Sequence, residues 1–173
     1  ALGVFADYGF KKATLEDIAG ALGMTKANLY HYARGKQDLY EQTVRWALLR
    51  WQGRGGEAVA RERDAEGQFR TLCRAALQFL GEEPHLARLL QRDPGIFPMS
   101  PDNDPYADIN AASMAMIRRI LEQGQAEGRF RAVDLESVPA ILFSIYKMFI
   151  NRMVVRPADR SPEPSSPHRG DLV

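Results

Sequence analysis

"GMTKANLYHYARGK", residues 23 to 36, gathers a glycine, three basic residues and three aromatic rings with no acidic side chain, in a chain of 173 residues with a formal charge of only +1. Immediately before it, Leu15, Ile18, Ala19 and Leu22 recur at i, i+3, i+4 and i+7, the spacing of one buried helix face. Thr14 stands where an N-cap hydroxyl belongs, with Asp17 three residues on as its capping partner. Thr25 is placed to cap a second, short helix over 26–32. Gly23 can supply the left-handed backbone that a sharp corner between the two needs. The small residues Ala19, Gly20 and Ala21 leave room for a close crossing. The pattern is a helix-turn-helix, a corner that also occurs in ordinary helical bundles.

Around this corner the charge is uneven. Residues 1–50 hold seven Lys or Arg against five Asp or Glu, and residues 51–173 hold sixteen against seventeen. A local basic segment inside a near-neutral body indicates one docking surface for a polyanion. Helical spacing runs through the rest of the chain, without strand alternation. A first helix carries Leu2, Phe5 and Tyr8 and stops at Gly9. Later helices are expected at about 36–52, 57–81, 84–92, 105–127 and 134–154. The glycine cluster at 53–56 breaks the chain, so a small N-terminal module (1–50) precedes a helical body (51–156). A Pro- and Asp-rich loop (93–105) and an irregular Pro/Ser/Arg-rich tail (157–173) complete the outline.

The stretch "LGVFADYGFKKATLEDIAGALGMTKANLYHYARGKQDLY" resembles the N-terminal domain of the TetR/AcrR family of bacterial transcriptional regulators. The likeness rests on Phe5, Gly9 and Phe10, Thr14, Asp17–Ile18–Ala19, Leu22–Gly23, Thr25–Lys26, Leu29–Tyr30, Tyr32, Lys36 and Leu39, in order and without a gap. It implies an all-α fold: a helix-turn-helix DNA-binding domain followed by a helical ligand-binding and dimerisation domain. Helix 26–32 would enter the major groove of double-stranded DNA. By the same resemblance Thr14, Thr25, Tyr30 and Lys36 would contact phosphates, and Lys26, Ala27, Asn28 and His31 would face the bases. The chemistry suits those roles: Asn28 can pair with adenine, Lys26 with guanine, and the Ala27 methyl can touch that of thymine. Leu29 reads as core. Tyr32 reads as packing or contact, and His31 as base contact or solvated side chain. One position departs from the family: Ala33 stands where a Phe usually plugs the small domain. Such a truncation costs about 3–5 kcal/mol if uncompensated, and Tyr32, Phe10 or Tyr40 could fill the space.

No catalytic set stands out. His31, His85 and His168 lack metal-ligand spacing, and there is no phosphate-binding glycine loop or nucleophile elbow. Neither an enzyme nor a cofactor is expected. The single cysteine, Cys73, excludes an internal disulfide, reads as a buried apolar residue and suits a reducing cytoplasm. The run 138–150 is too short to span a membrane and contains Lys147. The chain opens inside a helical pattern without Met, which points to residues upstream.

Helix 134–154 is apolar on two sides: Val138, Ile141, Leu142, Ile145 and Phe149 on one, Ala140, Phe143, Tyr146 and Ile150 on the other. Paired with helix 105–127, it suits a four-helix interface in a twofold homodimer. In the family this body often encloses an effector cavity. Leu72, Phe79, Leu86, Leu90, Phe97, Met114, Phe143 and Tyr146 are the candidate lining, although each also reads as plain core. A cavity of that kind favours a small hydrophobic or aromatic effector. These readings converge on a repressor of a palindromic operator, released by its effector. The alternative is a helical binding or scaffolding protein in which the corner is only a packing unit.

Overall fold

The computed structural model describes residues 1–98 and 104–155. The expected tail at 157–173 and the middle of the 93–105 loop lie outside the described residues. Among these there are eight α-helices and no strand. They are α1 (Leu2–Lys12, interrupted at Gly9), α2 (Leu15–Ala21), α3 (Lys26–Leu29), α4 (Lys36–Ala60), α5 (Ala65–Glu82), α6 (Pro84–Arg92), α7 (Ala107–Ala126) and α8 (Val138–Val155).

The corner forms for the reasons its residues suggest. The Thr14 hydroxyl accepts from the Asp17 amide at 3.1 Å, and the Asp17 carboxylate accepts from the Thr14 amide at 3.0 Å, closing a capping box. These bonds hold the Asp17 carboxyl below its usual range, the Thr14 hydroxyl first among them. α2 ends at Gly23, whose φ of 66° lets Met24 donate to the Ala19 carbonyl and Gly23 to that of Gly20. Ala19 is buried as expected, whereas Gly20 and Ala21 face outward and no neighbour approaches Gly20. Close crossing at that pair is therefore not what the small residues serve.

Four helix bounds differ from the periodicity, that of α8 by starting at Val138 rather than 134. α3 is a single turn: after Leu29 the chain tightens into bonds from His31 to Asn28 and from Tyr32 to Leu29. α4 does not break at the glycine cluster but runs unbroken to Ala60. Three glycines cost a helix roughly 3 kcal/mol relative to alanine. Trp51 on one side of the cluster and Val59 on the other are both buried and hold the helix across it. α5 consequently starts late, at Ala65, where the Asp64 carboxylate caps the Gly67 amide at 2.7 Å. The position-50 boundary thus falls inside one continuous helix.

The main core joins both ends of the chain. Phe5 and Ala6 of α1, Ile18 of α2 and Leu29 of α3 belong to the same buried cluster as Val44 and Trp51 of α4, Leu86, Leu89 and Leu90 of α6, and Ile150 of α8. Ala33 is buried there too, while Tyr32 is 68% exposed and cannot fill the space left by the missing Phe. Tyr40 occupies this core instead, its ring 5.0 Å from both Phe5 and Phe10. Its hydroxyl donates to Asp93 at 2.5 Å, beyond the C-terminus of α6. Burial first, then the Asp93 carboxylate, pushes this phenol far above its ordinary range, so it stays a donor at any accessible pH. Across the same contact Arg88 pairs with Asp7 at 2.6 Å. At the other end of the body Gly124 on α7 is required by packing, because a Cβ there would overlap the Phe130 ring.

Tyr40→Phe keeps the ring packing and removes the hydroxyl from Asp93. A neutral-to-charged hydrogen bond of this kind contributes about 1.5–3 kcal/mol, so urea unfolding should show a loss of that order with an unchanged m-value; a loss below about 0.5 kcal/mol would mean that the bond does not hold the module to α6.

Candidate DNA-reading surface and effector cavity

The side chains of α3 divide sharply. Leu29 is 3% exposed and anchors the turn in the core, whereas Thr25, Lys26, Ala27, Asn28, Tyr30 and His31 all face solvent. One buried anchor with six outward residues gives a short ridge of mixed donors, acceptors and a methyl. Thr25 caps the ridge, accepting from the Asn28 amide at 3.2 Å. No hydrogen bond engages the Asn28 carboxamide among the described residues.

Two of the basic side chains are already engaged. Lys26 Nζ lies 2.6 Å from Glu16 Oε1, across the corner on α2. The shared hydrogen bond draws the Glu16 carboxyl below its usual range and raises the Lys26 ammonium above its own. Glu16 is the residue that sequence reading missed, because a ten-residue separation follows no helical period and only the folded corner joins the two. The surface is therefore not free of acid, although its sequence is. Lys36 turns inward: its ammonium donates to the Ala13 carbonyl at 3.1 Å and that of Lys11 at 3.3 Å, and lies 4.8 Å from the Phe10 ring centre. It closes the C-terminal end of α1, where a cation is favoured. Of the four candidate phosphate contacts, Thr14 and Thr25 cap helices and Lys36 ties α1 to α4, leaving Tyr30 as the one without a partner among the described residues.

The body contains a cavity of about 450 Å³ walled by α4, α5, α7 and α8 together with Phe97. Four of the eight proposed lining residues are there: Leu72, Phe97, Phe143 and Tyr146. The other four are not. Leu86 and Leu90 face α1 in the main core, because α6 packs on α1 rather than over the cavity. Phe79 is buried against Trp51, the rings 6.1 Å apart and nearly parallel. Met114 packs with Ile117, Leu121 and Phe143. Helical spacing identifies a buried side chain but not which of two apolar spaces it enters.

Further lining, not signalled by apolar spacing, comes from α4 and α7. Gln52, immediately before the glycines, donates to the Ile109 carbonyl at 2.7 Å and to Ser113 Oγ at 2.8 Å. Asn110 donates to Asp104 at 2.6 Å. Gly55 opens the wall: what propensity marks as a chain break is space for the cavity. Cys73 is exposed rather than buried and stands on the cavity wall, where desolvation raises its thiol. On α8 the two apolar sides separate: Phe143 and Ile150 are buried, whereas Ile141, Ile145, Met148 and Phe149 are about half exposed at 50–56%. No described helix is long and apolar enough to cross a membrane, and no described group of residues could hold a metal ion.

Comparison with known proteins follows the same division. Residues 1–43 match the family model described as bacterial regulatory proteins, tetR family. Over 135 residues the chain is 25% identical to the HTH-type transcriptional repressor KstR2 of Rhodococcus jostii, covering 77% of this chain and 66% of that protein. The chain spans 46–66% of the length of the first curated relatives that it matches. The TetR family transcriptional regulator PfmR from Thermus thermophilus is similar over 97% of this chain and 86% of its own, with a TM-score of 0.65 and 26% identity. FadR from Bacillus subtilis, solved in complex with stearoyl-CoA, shares the fold with a TM-score of 0.71 at 18% identity, over 90% and 81% of the two chains. With the helix-turn-helix and the all-helical body on the page, these likenesses identify residues 1–43 as the tetR-family DNA-binding domain and show that the chain as a whole is similar to regulators of that family.

Proposed function

We propose that this protein is a transcriptional repressor that reads a palindromic operator as a homodimer and leaves it when a small hydrophobic effector fills the body cavity. The observation that carries the reading is the division of α3, a buried Leu29 beneath an outward row of Lys26, Ala27, Asn28, Tyr30 and His31. In the major groove such a row offers a carboxamide for adenine, an ammonium for guanine and a methyl for thymine, with Tyr30 reaching a phosphate. Thr14, Thr25 and Lys36 act mainly by fixing the backbone that presents this row. Any phosphate contact they make uses their remaining hydrogen-bonding capacity.

The homodimer rests on the outer stripe of α8. Ile141, Ile145, Met148 and Phe149 fall at i, i+4, i+7 and i+8, and an isologous contact would cover them, with Ile145 and Phe149 standing also at the edge of the cavity. Residues 1–50 act as the reading module and 51–156 as the sensing and dimerising body, with α4 common to both. Support for an apolar effector comes from the cavity itself, and from the likeness of fold to a regulator solved with stearoyl-CoA.

Selection of bound duplexes from a random pool tests the reading: an inverted repeat should be enriched, and affinity should fall steeply with salt. Binding without sequence enrichment or salt dependence would contradict it. Asn28→Ala should relax preference at one base position per half-site, costing about 1–3 kcal/mol there, with little change elsewhere. Glu16→Gln should free Lys26 and remove a repelling charge, so affinity for unrelated duplexes should rise and the dependence on salt should steepen, as read by titration at several salt concentrations.

A further inference from the structure

We infer that the effector is uncharged where it is buried: an apolar molecule bearing a neutral oxygen function, such as an alcohol, ketone or ester, and not a carboxylate or an amine. This deepens the proposal that the cavity is the sensing site. The cavity wall carries no Lys, Arg, Asp or Glu among the described residues. An ionised head group entering it would lose hydration with no opposite charge to replace it, which costs far more than burying a neutral oxygen.

Basic side chains that adjoin the wall on α4 and α8 are committed elsewhere. Lys147 follows the lining residue Tyr146 on α8, but its ammonium donates to the Pro98 carbonyl at 2.9 Å and lies 5.5 Å from the Phe143 ring centre. It is off the cavity wall. On α4, Arg54 precedes the lining residue Gly55, and Arg50 lies one turn earlier. Both guanidinium groups point to the surface, Arg54 paired with Glu82 at 3.1 Å and Arg50 with Glu83 at 2.8 Å.

What the wall does offer is neutral and directional. Tyr146 is held by ring contacts with Phe143 and Trp51, at 5.9 and 6.1 Å between centres, and its hydroxyl has no hydrogen-bond partner among the described residues. Burial pushes this phenol far above its ordinary range, which keeps the proton in place for donation to a carbonyl or ether oxygen. Elsewhere on the wall, on α4 and α7, Gln52 and Asn110 donate from their amide groups to protein acceptors. Their carbonyl oxygens remain to accept from a hydroxyl.

Four probes with one alkyl chain and different heads test the inference: 1-dodecanol, methyl dodecanoate, dodecanoate and dodecyltrimethylammonium, titrated at pH 8 below their aggregation limits. Binding is followed by tryptophan fluorescence and by the melting temperature, in the absence of DNA. The alcohol and the ester should bind and raise the melting temperature, with the two ions at least about tenfold weaker. Tyr146→Phe should weaken the ester by about threefold to tenfold, the worth of one neutral hydrogen bond. Gly55→Leu should abolish binding without harming the fold, because Gly55 is helical and a side chain there meets open space. Equal or tighter binding of either ion, no binding of both neutral probes, or binding that survives Gly55→Leu would overturn the inference. If the neutral probes bind but leave DNA affinity unchanged, the release mechanism fails while the assignment of the cavity stands.

Discussion

One helix has to satisfy two different sets of neighbours. At its N-terminal end α4 places Tyr40 among Phe5 and Phe10 of α1, and eleven residues on it places Trp51 against Phe79, Phe97 and Tyr146. At 1.5 Å per residue these anchors are roughly 16 Å apart on a nearly rigid rod. The helix-turn-helix therefore has no independent footing. Its position follows from how α4 and α6 lie in the body, and α4 supplies one wall of the cavity through Leu48, Trp51, Gln52 and Gly55.

A short segment after α6 adds a second tie. Asp93 accepts from Tyr40 through one carboxylate oxygen and from the Gly95 amide through the other. Four residues later Phe97 enters the cavity wall, and the next carbonyl, of Pro98, accepts from the buried Lys147 of α8. Cavity, segment and module thus share hydrogen bonds as well as packing. A ligand that displaced Phe97 would act on the aspartate holding Tyr40. An effector can shift such a system only by binding one arrangement more tightly than the other, and the shared residues are where that difference would arise.

The corner is legible in the sequence because its signals are local: a cap, a capping partner, a glycine and the apolar face of Leu15, Ile18 and Ala19 all act within a turn or two, although Leu22, the fourth of that face, is exposed. Leu29 reads as core from its own apolar side chain, whereas the outward row beside it is legible through the resemblance to the family. Tertiary context decides the rest. Glycines at 53–56 mark a chain break by propensity, yet buried Trp51 and Val59 carry the helix through them. Leu86 and Leu90 have the pattern of a cavity wall, but α6 turns them toward α1. Glu16 reaches Lys26, and Lys36 reaches the end of α1, only after the chain has folded back. Among the lining residues, the neutral polar Gln52 and Asn110 are invisible to a search for apolar spacing.

On the proposed function, cavity occupancy and DNA engagement are coupled through α4. Linkage makes the coupling measurable from the ligand side. The affinity of 1-dodecanol should be determined by calorimetry for the free protein and for the protein saturated with its selected duplex. Ligand binding to the DNA-bound form should be weaker by about 5-fold to 150-fold, the usual span of coupling between two sites. Identical ligand affinity with and without DNA would contradict it.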